Sequence, residues 1–416
     1  MEKLRELQPI IEQGIAQLLP KMLEFQRDIH AHPELARTEQ RTTAKIFDEL
    51  TAAGLNPKRL PGTGLVCDLG QLRVAQSDTP SQSDTPSQPG TQSRREKQRV
   101  ALRADIDALP VVETTKLPWA STVPGVTHAC GHDFHTAIVL GVGLLLRRLE
   151  LQGYDIPAVR LIFQPAEEVQ PGGALDVIAA GALEGVGQMY GLHCEPKTEV
   201  GSIGTRIGAI TSASDEVQVT LTAEGGHTSR PHLTGDIVYA LGQIITQTTG
   251  VLDRRLDPRA GVNLTWGAVH AGQANNAIPA TGVVKGTLRC LDVRVWEKAG
   301  QLLEETIRQV VAPYGVEVDV QHTRGVPPVE NNERATLVLE NAARTLIGDE
   351  AVLLTEQSLG GEDFAWYLTK VPGALARLGT RTPGGPAYDL HQGDLVVDDR
   401  ALGNGIRLLA GAAYLA

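Results

Sequence analysis

Residues 159–168 read Val159-Arg-Leu-Ile-Phe-Gln-Pro-Ala-Glu-Glu168. An apolar run short enough for a strand gives way to a proline and a pair of acids. The same form recurs along the chain. Val100-Ala-Leu-Arg103 precedes Asp105 and Asp107, Met189-Tyr-Gly-Leu192 precedes His193, and Tyr388-Asp-Leu390 precedes His391. Strands are expected near 100–104, 159–163 and 188–193, alternating with helices near 132–150 and 172–183. That β-α-β series predicts an α/β fold with a mostly parallel sheet flanked by helices. Open sheets of this kind bind ligands beyond the carboxyl ends of their strands, where these acids and imidazoles lie.

Upstream, Leu4 to Glu34 reads as a long amphipathic helix running into a His-Pro turn. A second helix covers Thr38 to Ala53 and stops at Gly54, and a short strand follows over Leu65 to Leu69. Ser77 to Gln82 (SDTPSQ) is then repeated as Ser83 to Gln88. The tract 76–98 holds almost no apolar residues to offset the entropy of ordering, so it is expected as a disordered, neutral insertion at a hairpin tip.

Downstream the period changes. Strand 215–224, helix 233–250, strands 261–270 and 281–291, helix 293–313 and strand 315–323 give the order β-α-β-β-α-β, the ferredoxin-like signature. Apolar helix and strand resume at Arg334 to Leu346 and Ala374 to Leu378. The expected organisation is a larger domain of residues 1–208 and 325–416 with a smaller α+β domain, 209–324, inserted into it. A length of 416 residues suits two cores better than one.

With 42% hydrophobic and 21% charged residues, the composition is that of a globular protein, and the formal charge of −11 argues against nucleic acid as a partner. The charged N-terminus lacks the apolar core of a secretory signal. The longest apolar stretch, Ala137 to Leu146, is far short of the ~20 residues that span a bilayer. Four cysteines, none in a Cys-x-x-Cys pair, fit a reducing compartment, so a cytoplasmic protein without membrane partners is expected.

His128-Ala-Cys-Gly-His-Asp133 adds Cys130 and His132 to the acids and imidazoles at the strand ends. Singly, each has a plain structural reading: Cys130 a small buried hydrophobe, His193 a satisfied histidine, Glu167-Glu168 a solvated helix start. Together, thiolate, imidazole and carboxylate suit a divalent ion such as manganese, zinc, cobalt or nickel. Of two adjacent acids, one can hold the metal while the other takes a proton from water. Cys130 could instead act as the nucleophile of an amidase with His132 as base, although positions two apart rarely allow that hydrogen bond. A metal-free, non-catalytic binding protein is the third reading.

The motifs carry a family resemblance over nearly the whole chain. They are Asp28-Ile-His-Ala-His-Pro-Glu-Leu35, Ala101-Leu-Arg-Ala-Asp-Ile-Asp-Ala-Leu-Pro110, His128-Ala-Cys-Gly-His-Asp133 and Phe163-Gln-Pro-Ala-Glu-Glu168. Gly191-Leu-His193, Gly225-Gly-His-Thr-Ser-Arg-Pro-His232 and Gly361-Glu-Asp-Phe364 complete the set. The chain resembles the aminoacylase/carboxypeptidase clan of metallopeptidases, in its branch of hippurate, N-acyl-amino-acid and auxin-conjugate amidohydrolases. The resemblance implies a zinc-peptidase-like catalytic domain with a ferredoxin-like lid through which the chain forms a homodimer. It implies two divalent metal ions bridged by Cys130 and completed by His132, Glu168, His193 and His391, with Glu167 as general base. Asp105 falls where the clan has an acid that orients a ligand, and Arg103 where other branches have a histidine ligand. His227 corresponds to a histidine that polarises the scissile carbonyl in the partner's site; Asn276 and Arg289 resemble residues that hold the substrate's carbonyl and carboxylate. The implied reaction is hydrolysis of N-acyl amino acids. Val169-Gln170-Pro171 after the glutamates and His391-Gln-Gly-Asp-Leu395 depart from the clan's usual pattern, so substrate preference does not carry over.

Overall fold

The computed structural model describes residues 1–72 and 98–416. The Ser77–Gln88 repeat and nearly all of the tract expected as an insertion lie outside the described residues. Helices α1 (Glu2–Ala31) and α2 (Gln40–Ala52) lead into strands β1 (Lys58–Arg59) and β2 (Leu65–Leu69). Then come β3 (Arg99–Asp105), α3 (His132–Leu151), β4 (Val159–Gln164), α4 (Ala174–Ala179), β5 (Val186–Glu199) and β6 (Ile203–Thr205).

A separate antiparallel sheet follows. Its strands are β7 (Ala213–Thr222), β8 (Asn263–Ala271), β9 (Thr281–Cys290) and β10 (Glu317–Val326), in the order β8-β9-β7-β10. Helices α5 (Ile237–Arg255) and α6 (Val293–Val311) cover one face. Val217, Val219 and Leu221 alternate on β7 with outward polar residues, and meet Ile244 and Leu303 from the helices in an apolar core of their own. Strand β8 pairs only with β9, leaving its outer edge free among the described residues.

The chain returns through α7 (Glu333–Leu346), β11 (Val352–Leu354), the short α8 (Ala365–Leu368), β12 (Gly373–Arg381) and α9 (Arg400–Leu415). These complete an eight-stranded sheet, β1-β2-β4-β3-β5-β12-β6-β11. The central run β4-β3-β5-β12 is parallel, as the β-α-β series requires. The fold is the α/β sheet with a second, ferredoxin-like α+β unit.

Two expectations fail locally. Strands β2 and β3, which flank the 76–98 tract, do not form a hairpin: β4 pairs with each of them and lies between. A parallel β3–β4 pair joined through α3 fills the position that a hairpin partner would occupy. Strand β5 also runs on past His193 to Glu199, because its far half pairs in parallel with β12.

Helix α3 is buried on almost every side. It is packed between the sheet and α1 and α9, with Ile138, Leu145, Leu161 and Ile406 in one apolar cluster. Gly143 permits the close approach to the sheet, since a Cβ there would meet Leu161 Cδ1 at 2.4 Å. This helix aims its N-terminus at the carboxyl ends of β3 and β5. Phe364, Tyr367 and Leu375 fill the opposite face of the sheet. Among the described residues no helix is long and apolar enough to cross a membrane.

Candidate metal centre

Gly131 begins α3 with a φ of 83°, the left-handed region, and a Cβ there would lie 2.8 Å from Cys194 Sγ. Only glycine meets both conditions without strain. The turn it makes brings Cys130, from the loop, and His132, from the first helical position, beside His193 of β5. Cys130, His132 and His193 offer ligand atoms that all lie within 4.8 Å of one another.

Both histidines have one ring nitrogen engaged by a backbone carbonyl. His132 Nδ1 donates to Asp107 O at 3.0 Å and His193 Nδ1 to Cys194 O at 2.8 Å. Each therefore turns the lone pair of Nε2 toward the site. Burial holds the His193 imidazole well below its usual pKa, with the nearby Arg377 charge adding to the effect.

Glu167 and Glu168 follow β4 through Ala166, whose φ is 58°. A left-handed alanine is strained; it is held there because Glu39 Oε1 accepts from Ala166 N at 2.8 Å and Gly173 N donates to Ala166 O at 2.8 Å. Asp107 then receives both glutamate peptides, Glu167 N on Oδ1 and Glu168 N on Oδ2, each at 3.0 Å. Glu168 Oε1 reaches 3.7 Å from His132 Nε2 and 3.4 Å from His391 Nε2.

His391 does not end a strand. It lies on a loop, at a φ of 61°, anchored by His391 N donating to Ala129 O at 2.8 Å. Tyr388-Asp-Leu390 is too short and too exposed to pair with the sheet.

Cys130 belongs to two groups of ligand atoms, one with His132 and His193 and the other with Glu168 and His391. Cys130 Sγ is 3.4 Å from His193 Nε2. Separations of 3.4 to 3.7 Å are the edges of a tetrahedron whose centre-to-ligand bonds are about 2.1 Å, the zinc–nitrogen length. His132 Nε2 and Glu168 Oε1 are buried with no hydrogen-bond partner among the described residues. Two orphaned acceptors facing a thiol and two imidazoles are what a divalent cation satisfies. The donor set fits the implied ions.

Carboxylates crowd the far side. Glu167, Glu362 and Asp363 bring ligand oxygens within 4.8 Å of one another. Burial, then Glu362 and Glu168, push the Glu167 carboxyl well above its ordinary range, and burial lifts Asp363 to about 7 even with Arg103 beside it. Arg103 answers part of this charge from the floor of the site. It reaches Asp105 Oδ2 at 2.6 Å, Asp363 Oδ1 at 2.7 Å and Glu362 Oε1 at 3.2 Å.

Asp105 bonds His135, Nδ1 to Oδ1 at 2.6 Å, and comes no nearer to His132 Nε2 than 3.7 Å. Its neighbour Asp107 carries the contacts to His132 and to the two glutamates. Asp107 is named with Asp105 at the strand end but carries no role in the sequence, and no motif singles out His135 or Glu39; because residues two apart on a strand share a face, the Asp-x-Asp spacing made Asp107 as good a candidate as Asp105.

Cys130, Glu167, Glu168, His193, His391 and Arg289 line one open cavity of about 500 Å³. His227 and Asn276 do not. They meet each other on the far rim of the smaller sheet, where His227 pairs with Ala277 and Thr228 N donates to Asn276 O at 3.2 Å. His227 is exposed, and its Nδ1 accepts from Ser229 N at 3.1 Å.

Residues 101–414 match Peptidase family M20/M25/M40. The N-acetyl-L-cysteine deacetylase of Bacillus subtilis (strain 168) is 34% identical over 391 residues, 94% of this chain and 86% of that protein. A Rhodococcus jostii (strain RHA1) protein designated a glutamate–cysteine ligase is 46% identical over 397 residues, and the chain spans only 46% of its length. Among solved structures, the Bacillus subtilis YXEP protein, described as a dinuclear metal binding peptidase from the M20 family, superposes with a TM-score of 0.78. It is 30% identical, and the match covers 96% of this chain and 98% of that one.

Proposed function

Because the chain belongs to peptidase family M20/M25/M40, a family of metal-dependent hydrolases, we propose that it cleaves the amide bond of N-acyl amino acids. The observation that carries this reading is Cys130, shared between two ligand groups with Glu167 alongside. Cys130, His132, Glu168, His193 and His391 would hold two divalent ions, manganese or zinc first among them. When bound, such a pair supplies Lewis acidity, polarising a carbonyl and bringing the pKa of water toward about 7.

Glu167 takes the proton of the attacking water and returns it to the leaving amine. Asp107 fixes the peptide that carries Glu167, and Asp105 holds Arg103 and His135 beneath it. Arg289, on the cavity wall, receives the α-carboxylate through its planar fork. His227 and Asn276 do not line this chain's own cavity, which supports a homodimer in which each copy lends them to the other. There His227 donates to the developing oxyanion. The free edge of β8 is the natural seam for that pairing.

A screen of N-acyl amino acids against manganese-, zinc-, cobalt- and nickel-loaded protein tests the reading. Cleavage by a loaded form, lost with a chelator and restored by metal, supports it. If no loaded form cleaves any of them, it fails. Cleavage that survives the chelator but not alkylation would instead assign Cys130 as a nucleophile.

A further inference from the structure

Two arginines are buried on one face of the large sheet, and their surroundings differ completely. Arg103 on β3 is 2% exposed and meets three carboxylates and the side-chain oxygen of Gln164. Arg377 on β12 is 6% exposed, yet its guanidinium makes no hydrogen bond or ion pair among the described residues. A buried cation without a counter-charge is costly, and buried charges in folded proteins are paired as a rule.

The register explains where Arg377 points. β12 runs parallel to β5 with Arg377 opposite His193, so the two side chains leave the sheet on the same side. Arg377 lines the cavity that holds Cys130, Glu167 and His193, and also an adjoining cavity of about 410 Å³ that includes Glu195, Lys197 and Thr355. Its nitrogens are not sealed inside the protein; they open where the cavities meet. Nearby acids are already engaged. Asp389 pairs with Lys197 at 3.2 Å, Glu195 accepts from Lys197 N at 3.2 Å, and Arg103 holds Glu362 and Asp363.

We propose that Arg377 binds a second carboxylate of the substrate, beyond the α-carboxylate assigned to Arg289. The preferred substrates are then N-acyl amino acids with an extra acid group. This rests on the hydrolase reading above. A guanidinium matches a carboxylate with two parallel hydrogen bonds, and the ligand would supply the charge that the protein withholds. The extra carboxylate can come from an acidic amino-acid side chain or from a dicarboxylic acyl arm.

The test compares kcat/KM for pairs that differ only in that group. N-acetyl-L-glutamate against N-acetyl-L-glutamine probes the side-chain source, and N-succinyl-L-methionine against its terminal amide probes the acyl source. The metal-loaded enzyme is expected to favour the acid of at least one pair by about tenfold or more. Arg377→Gln should reduce that ratio to near unity, and Arg377→Lys should keep part of it. Glutarate should raise the Tm of the wild type but not of Arg377→Gln, because a ligand of the folded state stabilises it. Cleavage of neutral substrates with no preference for either acid overturns this inference while leaving the hydrolase reading intact. If nothing is cleaved, the glutarate shift decides, and its absence overturns the inference.

Discussion

Asp107 accepts one hydrogen bond on each carboxylate oxygen, from the peptide nitrogens of Glu167 and Glu168. The two glutamates are thus positioned by backbone, and the strained Ala166 ahead of them is held by Glu39. Asp107→Asn presents an amide N–H to one of those peptide donors. Charge-assisted bonds are worth about 1.5–3 kcal/mol, and misplacement of reacting groups costs about 10²-fold. A fall in kcat of that order is expected, read by steady-state kinetics beside metal analysis showing the ions retained.

Glu167→Ala should lower kcat by about 10² to 10⁴, the range for loss of a positioned general base. Metal content should stay near that of the wild type, since Cys130, His132, Glu168, His193 and His391 remain. Activity near wild type on every accepted substrate would remove Glu167 from the base role.

Cys130→Ala deletes the atom common to both ligand groups. Elemental analysis after reconstitution should find fewer ions per chain than in the wild type. Removing His391 should cost less, because it touches only one group and is half exposed.

His227→Ala and Glu167→Ala should each be nearly inactive alone. If His227 serves the other copy's site, mixed subunits of the two variants contain one intact site per heterodimer. About a quarter of wild-type activity should return on mixing and reassociation. No recovery would place the whole site within one chain.

His30 should govern part of the stability at alkaline pH. Burial alone would lower its pKa, but Asp133, bonded to Nδ1 at 2.7 Å, and Glu113 raise it from 6.5 to about 10. A raised folded-state pKa means that the stabilisation is fully present below 6.5 and is lost as pH climbs through about 10. His30→Gln should lose on the order of 3 kcal/mol near neutrality, as breaking a buried pair does. Urea midpoints of the variant should then vary less than those of the wild type between pH 6.5 and 10.

The donors of the candidate centre were legible because strand ends carry them: apolar period and terminal charge are local features. Cys130 and His132 stood beside a glycine whose left-handed turn is also a local demand. His391 is marked in the sequence by the apolar Tyr388-Asp-Leu390 ahead of it and by the family resemblance, but it ends no strand, and its loop owes its place to one backbone bond with Ala129. Asp107 and Asp105 are two residues apart with the same chemistry, and nothing local says which one receives the glutamate peptides. His227 and Asn276 were named, but their distance from this chain's cavity emerges only once the smaller sheet is folded.

By itself the sequence determined the element order, the two sheet types and the residues with ligand chemistry, because periodicity and turn chemistry act over a few neighbours. The tertiary structure alone decided that β4 separates β2 from β3, that Cys130 lies in two ligand groups at once, and that Arg103 is paired while Arg377 has no partner among the described residues. Strand pairing and charge compensation join residues hundreds of positions apart, as Arg103 and Asp363 show, and that coupling exists only after the chain has collapsed around its core.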